Sequence, residues 1–439
     1  MKINILVGAA AYDAGQLKIN LDGGDYGSST VKCNFSDLLP FAGKASKQAV
    51  DFFMISAAVY GIDRFVLRRA NSVDGWSREL NVVFPVRDPA LWKPFKVELS
   101  SLLSFLTGDY WEVDFQQGEI TLPAADLEDR FNDGLGQVNL FSGGLDSLIG
   151  AIKYLEENAG HKLVVVSHYD PQMKGPKGDQ KELLDDLNSK YAGRLLSVPS
   201  VKVELEKQNK KRETTFRSRS ILFIGLGGMV SDALGKSLIV PENGSVSLNY
   251  PLSPSRRSAC STRTTHPKVI DGVNVLFQGL GIQTQLSNPF EFSTKGEMVS
   301  SLAPYNPEIN TLLKSNSCGK RRHDMRKWNP DAKHCGACMP CIYRRAALIQ
   351  ISADKDADYG DRISDLNFYV KKGQDIAACL AFLKHDLSPK EIKQELIING
   401  VSDILKLGPY VALVERTRSE LKALFSQIGS PDAKTRAGI

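Results

Sequence analysis

The stretch Ser142-Gly143-Gly144-Leu145-Asp146-Ser147 is the part of the chain whose residue types most directly imply chemistry. Adjacent glycines let the backbone take positive φ and approach an anion with no Cβ in the way. The stretch follows the apolar run 138–141 and precedes a helical pattern that starts at Leu148. Its amides are therefore expected at a helix N-terminus, where aligned peptide dipoles favour an anion. Ser142 and Ser147 add hydroxyl donors. Asp146 is an unfavourable neighbour for a bare phosphate, and becomes favourable if Mg2+ bridges the carboxylate to the phosphates. Two better-known loops do not occur. There is no G-x-x-x-x-G-K-[ST], and the glycines at 225–230 lack the last Gly of a dinucleotide fingerprint. Those glycines lie in an apolar helical pattern, so close helix packing is their expected role.

Four of the seven cysteines fall together: Cys318, then sixteen residues, then Cys335-Gly336-Ala337-Cys338-Met339-Pro340-Cys341. Two C-x-x-C pairs sharing Cys338 supply three thiolates and Cys318 a fourth, the ligand set of tetrahedral Zn2+. Four sulfurs leave no open coordination position, so such a zinc is structural. His334 or His323 in place of one cysteine gives a Cys3His site, and an Fe–S cluster is the other metal reading. One dense cluster beside scattered Cys33, Cys260 and Cys379 points to a reducing cytosol and away from a disulfide framework, so a cytoplasmic location is expected.

These residues need a scaffold. With 439 residues the chain exceeds one ordinary core, and 42% hydrophobic with 24% charged residues excludes a disordered or fibrous chain. The longest apolar stretch, 221–230, is too short for the roughly 20 residues of a membrane span. Residues 1–15 superficially resemble a signal peptide, but the alternation that follows reads as a first strand and hairpin. Residues 1–133 mix short β-like runs, among them 64–70 and 119–124, with one helical pattern near 35–60; an N-terminal α+β domain is expected there, suited to docking a partner. From 134 to 350 short apolar runs alternate with helical stretches, which predicts a parallel sheet flanked by helices, with a zinc lobe at 318–345. A helical C-terminal region is expected over 351–439, ending in a frayed tail at 430–439.

S-G-G-x-D-S between strand and helix resembles the PP-loop ATP pyrophosphatases, of the adenine nucleotide alpha hydrolase-like fold class. The resemblance implies that Ser142, Gly143, Gly144, Leu145, Asp146 and Ser147 hold the pyrophosphate half of Mg-ATP, with Ser167 and His168 near the nucleoside. The cysteine cluster, Thr215-Phe216-Arg217-Ser218-Arg219, and Asn288-Pro289-Phe290 followed by Lys295 and Glu297 narrow the likeness. In that order they resemble the 7-cyano-7-deazaguanine synthases (QueC-like). Those relatives are shorter and single-domain, and their first cysteine gap is usually shorter. The longer chain, with the stretches 241–254 (PENGSVSLNYPLSP) and 261–267 (STRTTHP), looks like the QueC-like component, QatC, of the Qat anti-phage defence systems.

What the likeness implies is an ATP-dependent C–N ligase that adenylates 7-carboxy-7-deazaguanine or a related acid and passes the acyl group to ammonia or a partner protein amine. ATP, Mg2+ and Zn2+ are the expected cofactors, and a protein of the same defence system the expected partner. Asp146, Arg217, Arg219 and Lys295 are the catalytic candidates, since a departing pyrophosphate needs its charge neutralised and Arg stays charged. A flat purine-like ligand needs edge donors and acceptors. Glu242 and Asn243, at a strand's C-terminal end, suit that, although Pro-Glu-Asn-Gly is also a good turn sequence. The polar run Arg263, Thr264, Thr265 and His266 is placed over the substrate. The basic residues between 314 and 345 admit tRNA modification as an alternative, with Cys260 as its catalytic thiol. Nucleic acid is not favoured, because a solvated lobe explains the charge. A nucleotide-sensing subunit without catalysis is the third reading.

Overall fold

The computed structural model describes residues 2–439 apart from 174, 207–211, 253–262, 321–327, 366, 369 and 371–372. Alternating burial along β1 (Lys2–Val7), β3 (Gln16–Asp22), β4 (Ser28–Asn34), β5 (Glu79–Val86) and β6 (Tyr110–Gln117) gives a sheet with one face packed and the other toward solvent. A short β2 (Ala11–Asp13) pairs with β3. Strand β3 is antiparallel to β4 and to β1, whereas β1, β5 and β6 run parallel.

The second sheet is built as the apolar runs predict. Strands β7 (Leu135–Leu140), β8 (Lys162–Val166), β10 (Leu195–Ser197), β12 (Leu238–Ile239) and β13 (Leu286–Ser287) lie in the order β10-β8-β7-β12-β13, all parallel. The chain builds outward from β7 in one direction, then returns to build from β12 in the other. Such a reversal opens a crevice beyond the C-terminal ends of the two central strands, where open α/β sheets take their ligands. Strands β9 (His168–Tyr169) and β11 (Val201–Leu205) leave this sheet and extend the first one, β11 pairing with β4.

Two helices, Lys47–Phe65 and Arg219–Leu234, lie between the sheets and are buried on nearly every side. Helices apolar all round belong in such a position. Gly225 permits the approach: a Cβ there would stand 2.4 Å from Ser56 Oγ. The glycines at 225–230 thus serve helix packing, as expected. One continuous core runs from Ile3 to Leu286, so residue 133 divides two topologies but not two cores. The reason is the exchange of β9 and β11 and the shared helix layer.

Several local expectations change. Residues 64–70 close one helix and open another, Arg68–Asn71, and 119–124 form no strand. Lys96–Thr107 is a further helix in the first region, capped by Gly108 in the left-handed conformation. The C-terminal region is largely helical, and its core also takes in Leu248, Leu252, Ala337, Ile342 and Ala346 from before residue 351. Its last ten residues are not frayed: Ser430 caps a helix Pro431–Ala437 that buries Ala433 and Ala437. Among the described residues no helix is long and apolar enough to cross a membrane.

Candidate active site and metal centre

The glycine loop leaves β7 and turns into a helix that starts at Leu145, three residues before the expected Leu148, so Asp146 and Ser147 stand in its first turn. Gly143 takes φ +81°, a conformation that favours glycine, and Gly144 is the N-cap. Ser147 Oγ lies 3.3 Å from Ser142 Oγ and donates to the Gly144 carbonyl at 3.0 Å, which closes the loop on itself.

Asp146 accepts from Lys295 Nζ at 2.5 Å and from Asn243 Nδ2 at 2.8 Å, one donor on each oxygen. Each oxygen retains a second lone pair for a cation. Lys295 opens the helix Lys295–Ser300 behind a Thr294–Glu297 capping box. A cation at a helix N-terminus is disfavoured, so the Asp146 charge is what holds this buried ammonium in place. Asn243 caps the short helix Gly244–Ser247 through its Oδ1, which leaves its Nδ2 for Asp146. Glu242 stands beside them, its backbone clamped on both sides by Asn288 at 3.3 and 2.7 Å. Burial, together with the Asp146 charge, pushes the Glu242 carboxyl up to about 7, against the opposing pull of Lys295.

These groups converge on one cavity of about 620 Å3 at the mouth of the parallel sheet. Ser142, Gly144, Leu145, Asp146, Ser147, Glu242, Thr264, Lys295 and Arg217 line it. Arg217 is buried, donates to the Thr107 carbonyl at 3.2 Å and lies 4.5 Å over the Trp76 ring. Burial and the neighbouring Arg68 charge lower it to about 10, still cationic at neutral pH. The wall also includes Thr215, which opens the motif at 215–219, and Trp76, Tyr250, Asn316, Tyr343 and Asp375, which were not among the site candidates. Trp76 comes from the first region, on a turn held by Asp74, and carries no signal in its own neighbourhood.

The remaining candidates are held elsewhere. Asn243 is fully buried behind Asp146 and does not line the cavity. Ser167 and His168 are buried where β9 crosses to the first sheet. The His168 ring lies 4.0 Å from Phe223, and burial, then the Arg219 charge, keeps it neutral. Arg219 packs over Phe223, away from the cavity. Thr265 donates to Glu242 Oε2 at 3.3 Å from behind the wall. His266 caps the helix Pro267–Leu280 through Nδ1, and burial lowers it to about 3. Arg263 lies over Phe105 and donates to its carbonyl. Of the expected polar run, Thr264 alone faces the cavity. Each of the others is already engaged: His266 by a helix N-terminus, Thr265 by Glu242 and Arg263 by Phe105.

A buried ion network sets Arg217 from the first region. Asp63 bridges Arg78 at 2.6 Å and Arg68 at 3.1 Å, Asp109 bridges the same two arginines, and Asp63 also accepts both the N–H and the hydroxyl of Ser218.

Cys318, Cys335, Cys338 and Cys341 bring their sulfurs within 4.8 Å of one another, and this four-cysteine group could hold a metal ion such as zinc. Cys335 Sγ and Cys341 Sγ stand 3.9 Å apart, far from a disulfide. Tetrahedral bonds of about 2.3 Å put sulfurs about 3.8 Å apart, so the donor set fits. Hydrogen bonds from Cys335, Cys338 and Cys341 hold the Cys318 thiol well below its ordinary range, while bonds with Cys318 push Cys338 and Cys341 well above it. A divalent cation is what allows four such groups to ionise together. His334 contributes no atom to this group; its Nε2 accepts from the Ser317 amide. His323 and Cys260 lie outside the described residues. Arg344 and Arg345 are buried and engaged, Arg344 with Ser315 and Arg345 with Asp354 and Asp356. Searches of this chain against protein-family models and against curated proteins find no match.

Proposed function

We propose that the protein activates the carboxylate of 7-carboxy-7-deazaguanine, or a related planar acid, by adenylation with ATP and transfers the acyl group to a nitrogen nucleophile. The observation that carries this reading is the convergence of the glycine loop, Arg217, Lys295 and Glu242 on one cavity at the strand-order reversal. A carboxylate resists nucleophiles because it is charged and oxide is a poor leaving group. Attack of its oxygen on the α-phosphorus of ATP breaks the bond to pyrophosphate and leaves a mixed anhydride with AMP. The nitrogen then attacks the acyl carbon, AMP departs, and the nitrogen loses a proton.

In this reading the amides and hydroxyls of 142–147 bind the pyrophosphate half, and Arg217 stabilises its growing charge. Mg2+, when bound, neutralises phosphate charge next to Asp146. Lys295 keeps Asp146 oriented toward the loop. Glu242, when ionised, accepts from the N–H groups on the edge of a guanine-like ring, and Thr265 orients it. The four cysteines hold Zn2+ as a structural centre. The narrower resemblance to a defence-system component supports a partner protein as the source of the amine, with the exposed face of the first sheet available for docking.

The test is AMP and pyrophosphate release from Mg-ATP with and without 7-carboxy-7-deazaguanine, with ammonium and candidate partner proteins added in turn and Asp146→Asn as control. Release that depends on the deazaguanine acid is the expected result. Release, or its absence, independent of that acid with every nucleophile present overturns the proposal.

A further inference from the structure

The segment 315–318 runs between the glycine loop and the cysteine cluster, and Ser315, Ser317 and Cys318 are each gripped by the cysteine lobe. Ser315 Oγ accepts from Arg344 Nη1 at 2.7 Å; Arg344 belongs to the helix Met339–Ile349, which Cys338 caps and which contains Cys341. Ser317 N–H donates to His334 Nε2, next to Cys335. Cys318 Sγ accepts from the Cys335 amide at 3.3 Å. Asn316 faces the other way. Its amide donates to the Gly143 carbonyl at 2.9 Å, while its side-chain Oδ1 accepts from the Cys318 amide at 2.9 Å.

This bond has a consequence for anion binding. In a trans peptide the C=O and the following N–H point in opposite directions. Fixing the Gly143 carbonyl therefore aims the Gly144 N–H, and Gly144 lines the cavity. Gly143 sits at positive φ, and the plane is held by this bond together with the long bond from the Gly144 N–H to Ser142 Oγ at 3.3 Å.

We infer that Asn316 is a positioning residue through which occupancy of the four-cysteine metal site sets the affinity of the glycine loop for nucleotide. The inference rests on the reading of 142–147 as the ATP phosphate site. Cys335, Cys338 and Cys341 stay together because they are close in sequence and share one turn and helix. Cys318 comes from a separate segment and is only half-buried, whereas the other three are buried. A metal–thiolate bond at Cys318 adds to the ties that Ser315, Ser317 and Cys318 already make with the lobe, and loss of the ion loosens the segment and the Gly143 peptide with it.

The experiment uses the full chain. Affinity for α,β-methylene-ATP with Mg2+ is measured for zinc-loaded and chelator-stripped wild type and for Asn316→Ala, with zinc content and circular dichroism recorded for each. Hydrogen exchange of the peptide covering 141–148 is followed in parallel, without nucleotide. Asn316→Ala keeps the backbone N–H that donates to Gly143 but loses the Oδ1 acceptor that fixes its turn to the Cys318 amide. It is expected to keep its zinc and its fold, bind nucleotide about tenfold more weakly, and expose the loop to faster exchange. Stripping wild type is expected to do the same to the loop, and stripping Asn316→Ala to add little. Asn316→Asp, which keeps the acceptor for the Cys318 amide, is expected to retain loop protection. Unchanged loop exchange on stripping, or stripping and Asn316→Ala effects that simply multiply, overturns the inference. If zinc-loaded wild type binds no nucleotide, the ATP reading of the loop fails, and with it the nucleotide part of this inference. The exchange data then show whether the cysteine lobe still controls the loop.

Discussion

The carboxylate of Asp63 links both arginines of the buried network to Ser218, and its removal has a calculable effect. Asp63 is fully buried between Arg78 and Arg68 and holds Ser218, the neighbour of Arg217. Burial alone would raise its pKa; the guanidinium charges of Arg78 and Arg68 outweigh that and hold it at about 2, against an ordinary 3.8. A depressed carboxylate contributes stability that is present above the unfolded value and lost as pH falls through the folded one. A shift of nearly two units is worth about 2–3 kcal/mol. Asp63→Asn goes further, since two buried arginines are left sharing Asp109, and truncating one partner of a buried pair costs about 3–5 kcal/mol. We expect a loss of about 3 kcal/mol at pH 7, a large share of the roughly 5–15 kcal/mol typical of a folded domain. The assay is urea unfolding followed by circular dichroism and tryptophan fluorescence at pH 7 and at pH 3. Wild type should lose stability toward pH 3 and the variant should lose less, the gap between them narrowing. A loss below about 1 kcal/mol at pH 7, or a gap independent of pH, would refute the assignment of this network as a stabilising one.

Binding of the deazaguanine acid should weaken about tenfold per unit as pH falls below about 7, because Glu242 must be ionised to accept from the ring. Glu242→Gln should flatten that dependence in a binding titration. Gly143→Ala places a side chain at φ +81° and a Cβ 3.2 Å from Gln180 Cγ. It should cost about 1–2 kcal/mol and weaken nucleotide binding, read by thermal unfolding and calorimetry. Deleting residues 430–439 removes the buried Ala433 and Ala437. It should destabilise the C-terminal helices by about 1–2 kcal/mol, seen as faster limited proteolysis there with the cavity intact.

What the sequence determined by itself was local chemistry. Gly143 marks a tight strand-to-helix turn because its φ of +81° favours glycine, and Cys335, Cys338 and Cys341 mark a candidate metal site because their spacing alone brings three sulfurs together. The parallel sheet was legible in the same way, since strands buried on both faces must be continuously apolar. Tertiary structure decided which polar residues face the cavity. His266, Asn243 and Arg219 have the right types for a site, but each is used by a helix cap, a neighbouring carboxylate or an aromatic face. Which use wins depends on partners distant in the chain. Trp76 and the network of Asp63, Arg68, Arg78 and Asp109 were invisible for the same reason, as their role exists only once β9 and β11 join the first sheet and bring Arg217 against it. Asn316 lies between the two kinds: its neighbour Cys318 could be read from spacing, but its bond to Gly143 spans more than a hundred residues, and no local pattern encodes that.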